Sequence, residues 1–218
     1  MLSQAVKTPG AMINQGTFQP VGIEYGLGVK TAATTRVFSQ GTAVSTDRNL
    51  DISIQGEGFL QVMKTDGTLA YTRDGSLKLD SMGQLCTTDG YLIQPQSAIP
   101  NDAKEINITE DGNISVAVGS STTPSIVGTL QLARFQNPSG LLAIGHNLYV
   151  ETAGSGNPIQ DVPGSNGMGT IQQGFLEGSN VQIVEELIGL IKAERAFESN
   201  SKIISTSSDI LKQTNNIV

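Results

Sequence analysis

Tryptophan is absent from these 218 residues, cysteine and histidine occur once each, and aromatic side chains make up only 5% of the chain. Each scarcity excludes something. A lone Cys86 allows no internal disulfide and no CxxC metal or redox pair, and as a free thiol it suits a small, half-buried strand position. A lone His146, within GHNLY at 145–149, rules out a His-rich metal site. Any catalytic triad would have to centre on it, and no Gly-x-Ser-x-Gly elbow accompanies it. A loop histidine with one ordinary hydrogen bond is the simpler expectation. Apolar runs of about 18 residues are missing, as is a basic, apolar, small-residue start, so neither a transmembrane helix nor a cleaved signal peptide is expected. Positive charge is scarce too. Thirteen Lys and Arg face 20 Asp and Glu for a formal charge of −7, and without a dense basic patch nucleic acid is not an expected partner.

Further enzyme signals dissolve on inspection. GLG at 26–28 and GEG at 56–58 open like dinucleotide fingerprints, but Thr31 and Gln61 stand where the third glycine belongs, and neither lies between a strand and a helix. Asp66, Asp74, Asp89 and Asp111 each precede glycine, so turn chemistry accounts for them. A paired-carboxylate hydrolase stays open only because carboxylate separation is not written in a sequence. No catalytic residue, cofactor, metal or small-molecule substrate is expected.

Glycine, by contrast, is plentiful at 25 residues. Residues 1–48 read as an extended, linker-like stretch with short strands, and residues 49–170 as a β-rich body. In that body, turn dipeptides at Asp66-Gly67, Asp74-Gly75, Met82-Gly83 and Asp89-Gly90 predict consecutive hairpins over 50–97, because Asp and Gly accept the positive φ of tight turns. Alternation in INITEDGNISVAV and IVGTLQLARF marks a second β segment over 98–152, and 153–170 reads as a flexible Gly/Pro connector. The fold class is therefore mainly β: a meander or barrel-like body, an extended N-terminal stretch and one long C-terminal helix.

That helix lies within a return segment and coil over 171–218. Ser179 and Gln182 match a capping box, which places the helix start near Asn180. Glu185 and Glu186 near the beginning and Lys212 near the end suit the helix dipole. Thirty-odd residues make a rod of about 50 Å, longer than a small β body is expected to be wide. Ile183, Leu190, Phe197, Ile204, Leu211 and Val218 repeat every seventh position, and Leu187 and Ala193 adjoin them. A seven-residue apolar repeat held this long predicts supercoiled packing against another helix, with Phe197 as the largest knob. No second helix is evident in the chain, so the partner is expected to come from identical subunits or from a missing segment. An amphipathic helix lying on its own β domain is the alternative.

The stretches GIEYGLGVKTAATTRVFSQG at 22–41, DISIQGEGFLQV at 51–62, AYTRDGSLKLDSMGQL at 70–85, QQGFLEGSNV at 172–181 and AERAFESNSKIISTSSDIL at 193–211 resemble those of the bacterial flagellar rod and hook proteins. Tyr71, Thr72, Arg73, Asp74 and Gly75 fall in what looks like a marker of the whole axial family. QAVKTPGAMINQGTFQPVGIEYGLGV at 4–29 resembles the distal rod members most. The resemblance implies a structural subunit that assembles helically into a torque-transmitting shaft. It also implies export by the flagellar type III route, a place in the periplasm-spanning rod, and as partners identical subunits, other rod and hook proteins and the surrounding bushing ring. Members of the family carry an N-terminal helix that pairs with the C-terminal one, and this sequence is expected to start beyond it. A hook or proximal rod protein is the nearest alternative. A surface glycan-binding β-domain, using exposed Tyr71, Tyr91 or Tyr149, is the alternative of a different class.

Overall fold

The computed structural model describes the backbone of residues 30–118 and 124–215, and of four strands among the first 29 residues. Residues 1–37 and 38–218 form two units. In the first, β1 (Leu2–Lys7) pairs antiparallel with β4 (Ile23–Gly28), and between them β2 (Met12–Asn14) pairs with β3 (Thr17–Phe18). This is one hairpin nested in another.

The second unit opens with β5 (Ala43–Ser45), β6 (Ile52–Gln55), β7 (Phe59–Met63), β8 (Leu69–Thr72), β9 (Lys78–Leu79), β10 (Leu85–Cys86) and β11 (Leu92–Gln94). Three of the four expected glycine turns close hairpins. Gly67, Gly83 and Gly90 adopt φ of +80°, +76° and +86°, between β7 and β8, β9 and β10, and β10 and β11. The fourth does something else. Gly75 accepts a hydrogen bond from the Ile52 amide at 3.0 Å, and a Cβ placed on it would lie 1.7 Å from the Ile52 carbonyl oxygen. Here the chain leaves β8 and crosses against β6, so β9 ends at an edge of the sheet while β11 returns to pair with β7. The continuous meander expected over 50–97 is thus interrupted, because a close backbone approach also calls for glycine and looks the same in sequence.

Beyond it, β12 (Ala103–Ile108), β13 (Asn113–Val118) and β14 (Ser125–Thr129) form a separate three-stranded antiparallel sheet. β15 (Leu132–Arg134) adds to β7, and β16 (Leu142–Gly145) and β17 (Leu148–Val150) form a hairpin beside β8. His146 and Asn147 turn that hairpin with positive φ, as a two-residue turn between twisted strands requires. Residues 153–170, expected to be a flexible connector, instead hold β18 (Ile159–Asp161) paired to β15 and bury Ser155 and Met168. Finally β19 (Thr170–Gln173) and β20 (Phe175–Glu177) run back to pair with β6 and β5. The sheets stay open, so the fold is mainly β with one long helix but without the barrel-like closure that was expected.

The core gathers Ile52, Ile54, Leu60, Val62, Leu132 and Ile171 from β6, β7, β15 and β19. Fully burying an aliphatic side chain of this size stabilises by roughly 1.5–3 kcal/mol. A second cluster is aromatic: Phe59, Tyr71 and Phe135 are buried, with Phe38 and Tyr149 packed against them. The rings meet edge to face at centroid distances from 4.8 Å (Tyr71 and Phe135) to 6.0 Å (Phe59 and Tyr149), the geometry that ring quadrupoles prefer. Tyr71 is fully buried and Tyr91 and Tyr149 are half-buried. The exposed tyrosines on which a glycan-binding reading depended are therefore not exposed.

Candidate assembly surface

The C-terminal helix, α1 (Ile183–Asn215), starts three residues later than the expected Asn180. Its entry is fixed from both sides. The Ser179 hydroxyl accepts from the Val181 amide at 3.1 Å, and the Asn180 side chain donates to the Ser39 carbonyl at 2.9 Å. The Gln182 carbonyl accepts the first helical bond, from the Glu186 amide at 3.1 Å. Ser179 thus caps the amide two residues on rather than the third, which is a turn ahead of the helix.

The expected seam faces solvent along its whole described length. Ile183, Leu187, Leu190, Phe197 and Ile204 range from 52% to 74% exposed, and Ala193 is exposed as well. The side chain of Leu211, and all of Val218, lie outside the described residues. Both core clusters are built without any residue of α1. A soluble helix normally buries one face against its own domain; here a row of large apolar side chains has no cover among the described residues.

The family-marker residues sit where the two chain legs enter and leave the β body. Tyr71 lies in the aromatic cluster. The Thr72 hydroxyl accepts from the Asp74 amide at 3.0 Å, and Asp74 Oδ1 accepts from the Ser76 amide at 3.0 Å and its hydroxyl at 2.6 Å, shaping the crossing at Gly75. Arg73 is the hub. Its Nε donates to Glu177 Oε2 at 2.9 Å, Nη1 donates to the Gly56 and Gly58 carbonyls, and Nη2 donates to the Ile54 carbonyl. The other oxygen of Glu177 accepts from the Gly41 amide at 2.9 Å. Gln40 continues the seal, accepting from the Gly56 amide at 2.9 Å and donating to the Ile54 carbonyl at 3.2 Å. Arg73 therefore ties β8, the β6–β7 turn and the last strand before the helix into one joint. Gly41 passes so close to Gly178 that a Cβ on it would sit 1.9 Å from the Gly178 carbonyl oxygen.

Sequence reasoning singled out Arg73 but missed Glu177, Gly41 and Gln40. Arg73 and Glu177 lie 104 residues apart, and no local periodicity links positions so distant. The usable signals were that Glu177 falls within QQGFLEGSNV at 172–181, and Gln40 and Gly41 within GIEYGLGVKTAATTRVFSQG at 22–41, stretches that carried the resemblance.

Residues 53–116 match the family described as flagellar hook protein FlgE/F/G D1 domain, and residues 172–217 match flagellar basal body rod FlgEFG protein C-terminal. The flagellar basal-body rod protein FlgG of Buchnera aphidicola subsp. Acyrthosiphon pisum is 45% identical over 98% of this chain and 82% of its own length. The protein of that name in Borreliella burgdorferi is 45% identical over 100% of this chain and 83% of its own length. The one in Bacillus subtilis is 39% identical over 89% and 75%.

Proposed function

The chain belongs to the FlgG family of flagellar basal-body rod proteins and is a structural subunit of the rod; from that premise we propose that α1 is its axial assembly element. The uncovered apolar seam of Ile183, Leu187, Leu190, Ala193, Phe197 and Ile204 carries this reading, and Leu211 and Val218 continue the same heptad in the sequence. Subunits stack helically with their helices toward the axis and the β bodies, residues 49–170, forming the wall. A head-to-tail interface that does not close repeats into a filament, and many repeated contacts make that filament stiff enough to transmit torque.

In this reading the subunit takes the distal position in the rod. It contacts other rod and hook proteins and the surrounding bushing, and it reaches the periplasm-spanning shaft by the flagellar export route. The marker residues Tyr71 to Gly75, with Glu177, hold the root of the helix at a fixed orientation on the wall. Gln182, through its carbonyl, sets where the helix begins, and Ser179 shapes the turn ahead of it.

The test is the double substitution Leu190→Asp with Ile204→Asp in the full-length protein. Basal bodies isolated from such cells are expected to lack the distal rod and the cells to stop swimming, while the β body keeps its unfolding midpoint. Normal swimming by the double variant would overturn the proposal.

A further inference from the structure

The first turns of α1 carry more apolar surface than one seam uses. Ile183, Leu187 and Leu190 line the heptad face, but Val184, Ile188 and Ile191 form a second row beside it. Val184, Leu187, Ile188 and Ile191 stand at i, i+3, i+4 and i+7, and each is at least 47% exposed. Four apolar residues at that spacing are the hole that receives one knob in helix packing. The distal half is built the other way. Ile203 and Ile210 project seven residues apart and, with Ser199, Lys202, Thr206 and Ser207, line a shallow groove. The proximal half thus offers a hole, and the distal half offers knobs with room for close approach.

The charges divide the same way. Residues 183–198 hold four acids, Glu185, Glu186, Glu194 and Glu198, against the two bases Lys192 and Arg195. The remainder of the helix holds Lys202 and Lys212 against Asp209 alone. Two copies in register would set acidic half against acidic half, whereas a displaced pair sets acidic against basic, and complementary charge of this kind fixes register.

We propose that the proximal face Val184, Leu187, Ile188, Ile191 is occupied by Ile203 of a second copy of this chain, whose helix runs parallel and displaced by about 15 residues, about 23 Å along the axis. The proposal rests on the axial reading of α1 and adds the partner's register and direction to it. An antiparallel pair would also match hole to knob and acid to base, but it would close on itself and stop growing. The parallel, displaced arrangement repeats: each helix receives a knob at its root and gives one from its far half. The proximal half then has two neighbours, one on the heptad seam and one on the second face.

Cysteine cross-linking tests it in rods assembled from the full-length protein. The native Cys86 is buried, so introduced thiols supply the reactive pair. A disulfide needs Cα atoms within about 7 Å, and positions 188 and 203 of one straight helix lie far beyond that reach. Ile188→Cys combined with Ile203→Cys is expected to give, on mild oxidation, a ladder of dimers, trimers and higher multimers on a non-reducing gel, and Ile188→Cys alone only monomer. Leu187→Cys with Ile203→Cys is the second variant, should the first impair assembly. Dimers without a ladder would show an antiparallel or in-register pair and overturn the proposal, as would monomers from swimming cells. The last result leaves the axial role of α1 standing, because swimming reports that role separately.

Discussion

Gly67 and Gly75 each follow an aspartate, yet they do different physical jobs. Gly67 has open space around its Cα and a φ of +80°, so alanine there meets only the left-handed backbone cost of about 1 kcal/mol. Gly75 has no positive φ, but an added methyl would run into the Ile52 carbonyl, and backbone on both sides cannot yield as a flexible side chain would. Gly75→Ala is expected to cost about 3 kcal/mol and Gly67→Ala far less, measured as urea unfolding of the two variants. Arg73 and Glu177 have side chains only 17% and 14% exposed, so removing one strands the other in a poorly hydrated place. Arg73→Ala is expected to lose about 3 kcal/mol by the same measurement, and Arg73→Lys to recover little, since a single ammonium cannot span the Glu177 carboxylate and three carbonyls. Asp66 reports on the β7–β8 turn. The Thr68 hydroxyl and amide, then Lys64, hold its carboxyl down to about 2 from 3.8. A depressed carboxylate contributes stability that is whole above its ordinary value and fades as pH falls toward 2. An NMR titration should place its midpoint near 2, and Thr68→Ala should raise it toward the ordinary range.

Among the described residues, no side chain of α1 is buried. Its 33 residues contribute to neither core cluster, so the β body should not depend on it. Ending the chain at Ser179 is expected to remove nearly all helical circular dichroism and to leave the urea midpoint of the body unchanged; a fall in that midpoint would show that the helix packs on the body after all. The paired strands β5–β20 and β6–β19 behave differently. They bring residues 43–55 against 170–177, and Gln173 fastens them to β12 by accepting from the Ile108 amide at 3.0 Å and donating to the Ile106 carbonyl at 2.9 Å. The ends of the β body thus meet in one ribbon, from which the helix departs.

For the whole molecule, the energetic question is what assembly adds. Each seam Leu or Ile that goes from exposed to buried contributes roughly 1.5–3 kcal/mol, and an aspartate in its place must be buried unpaired or keep the helices apart. Two such substitutions per subunit, repeated at every contact, are the reason that Leu190→Asp with Ile204→Asp is expected to abolish the rod while sparing the fold of each subunit. The heptad from Ile183 and three of the four glycine turns were legible in the sequence, because each depends on residues close together along the chain. So were the family's marker stretches. The interrupted meander, the buried tyrosines, the packed segment over 153–170 and the Arg73–Glu177 joint were not. They arise from contacts between residues tens to a hundred positions apart, where one glycine or one charge carries no trace of its partner. Local order fixed a β body and a long amphipathic helix, and only the tertiary structure decided which strands met, which glycine marked a crossing, and that no other described residue covers the helix seam.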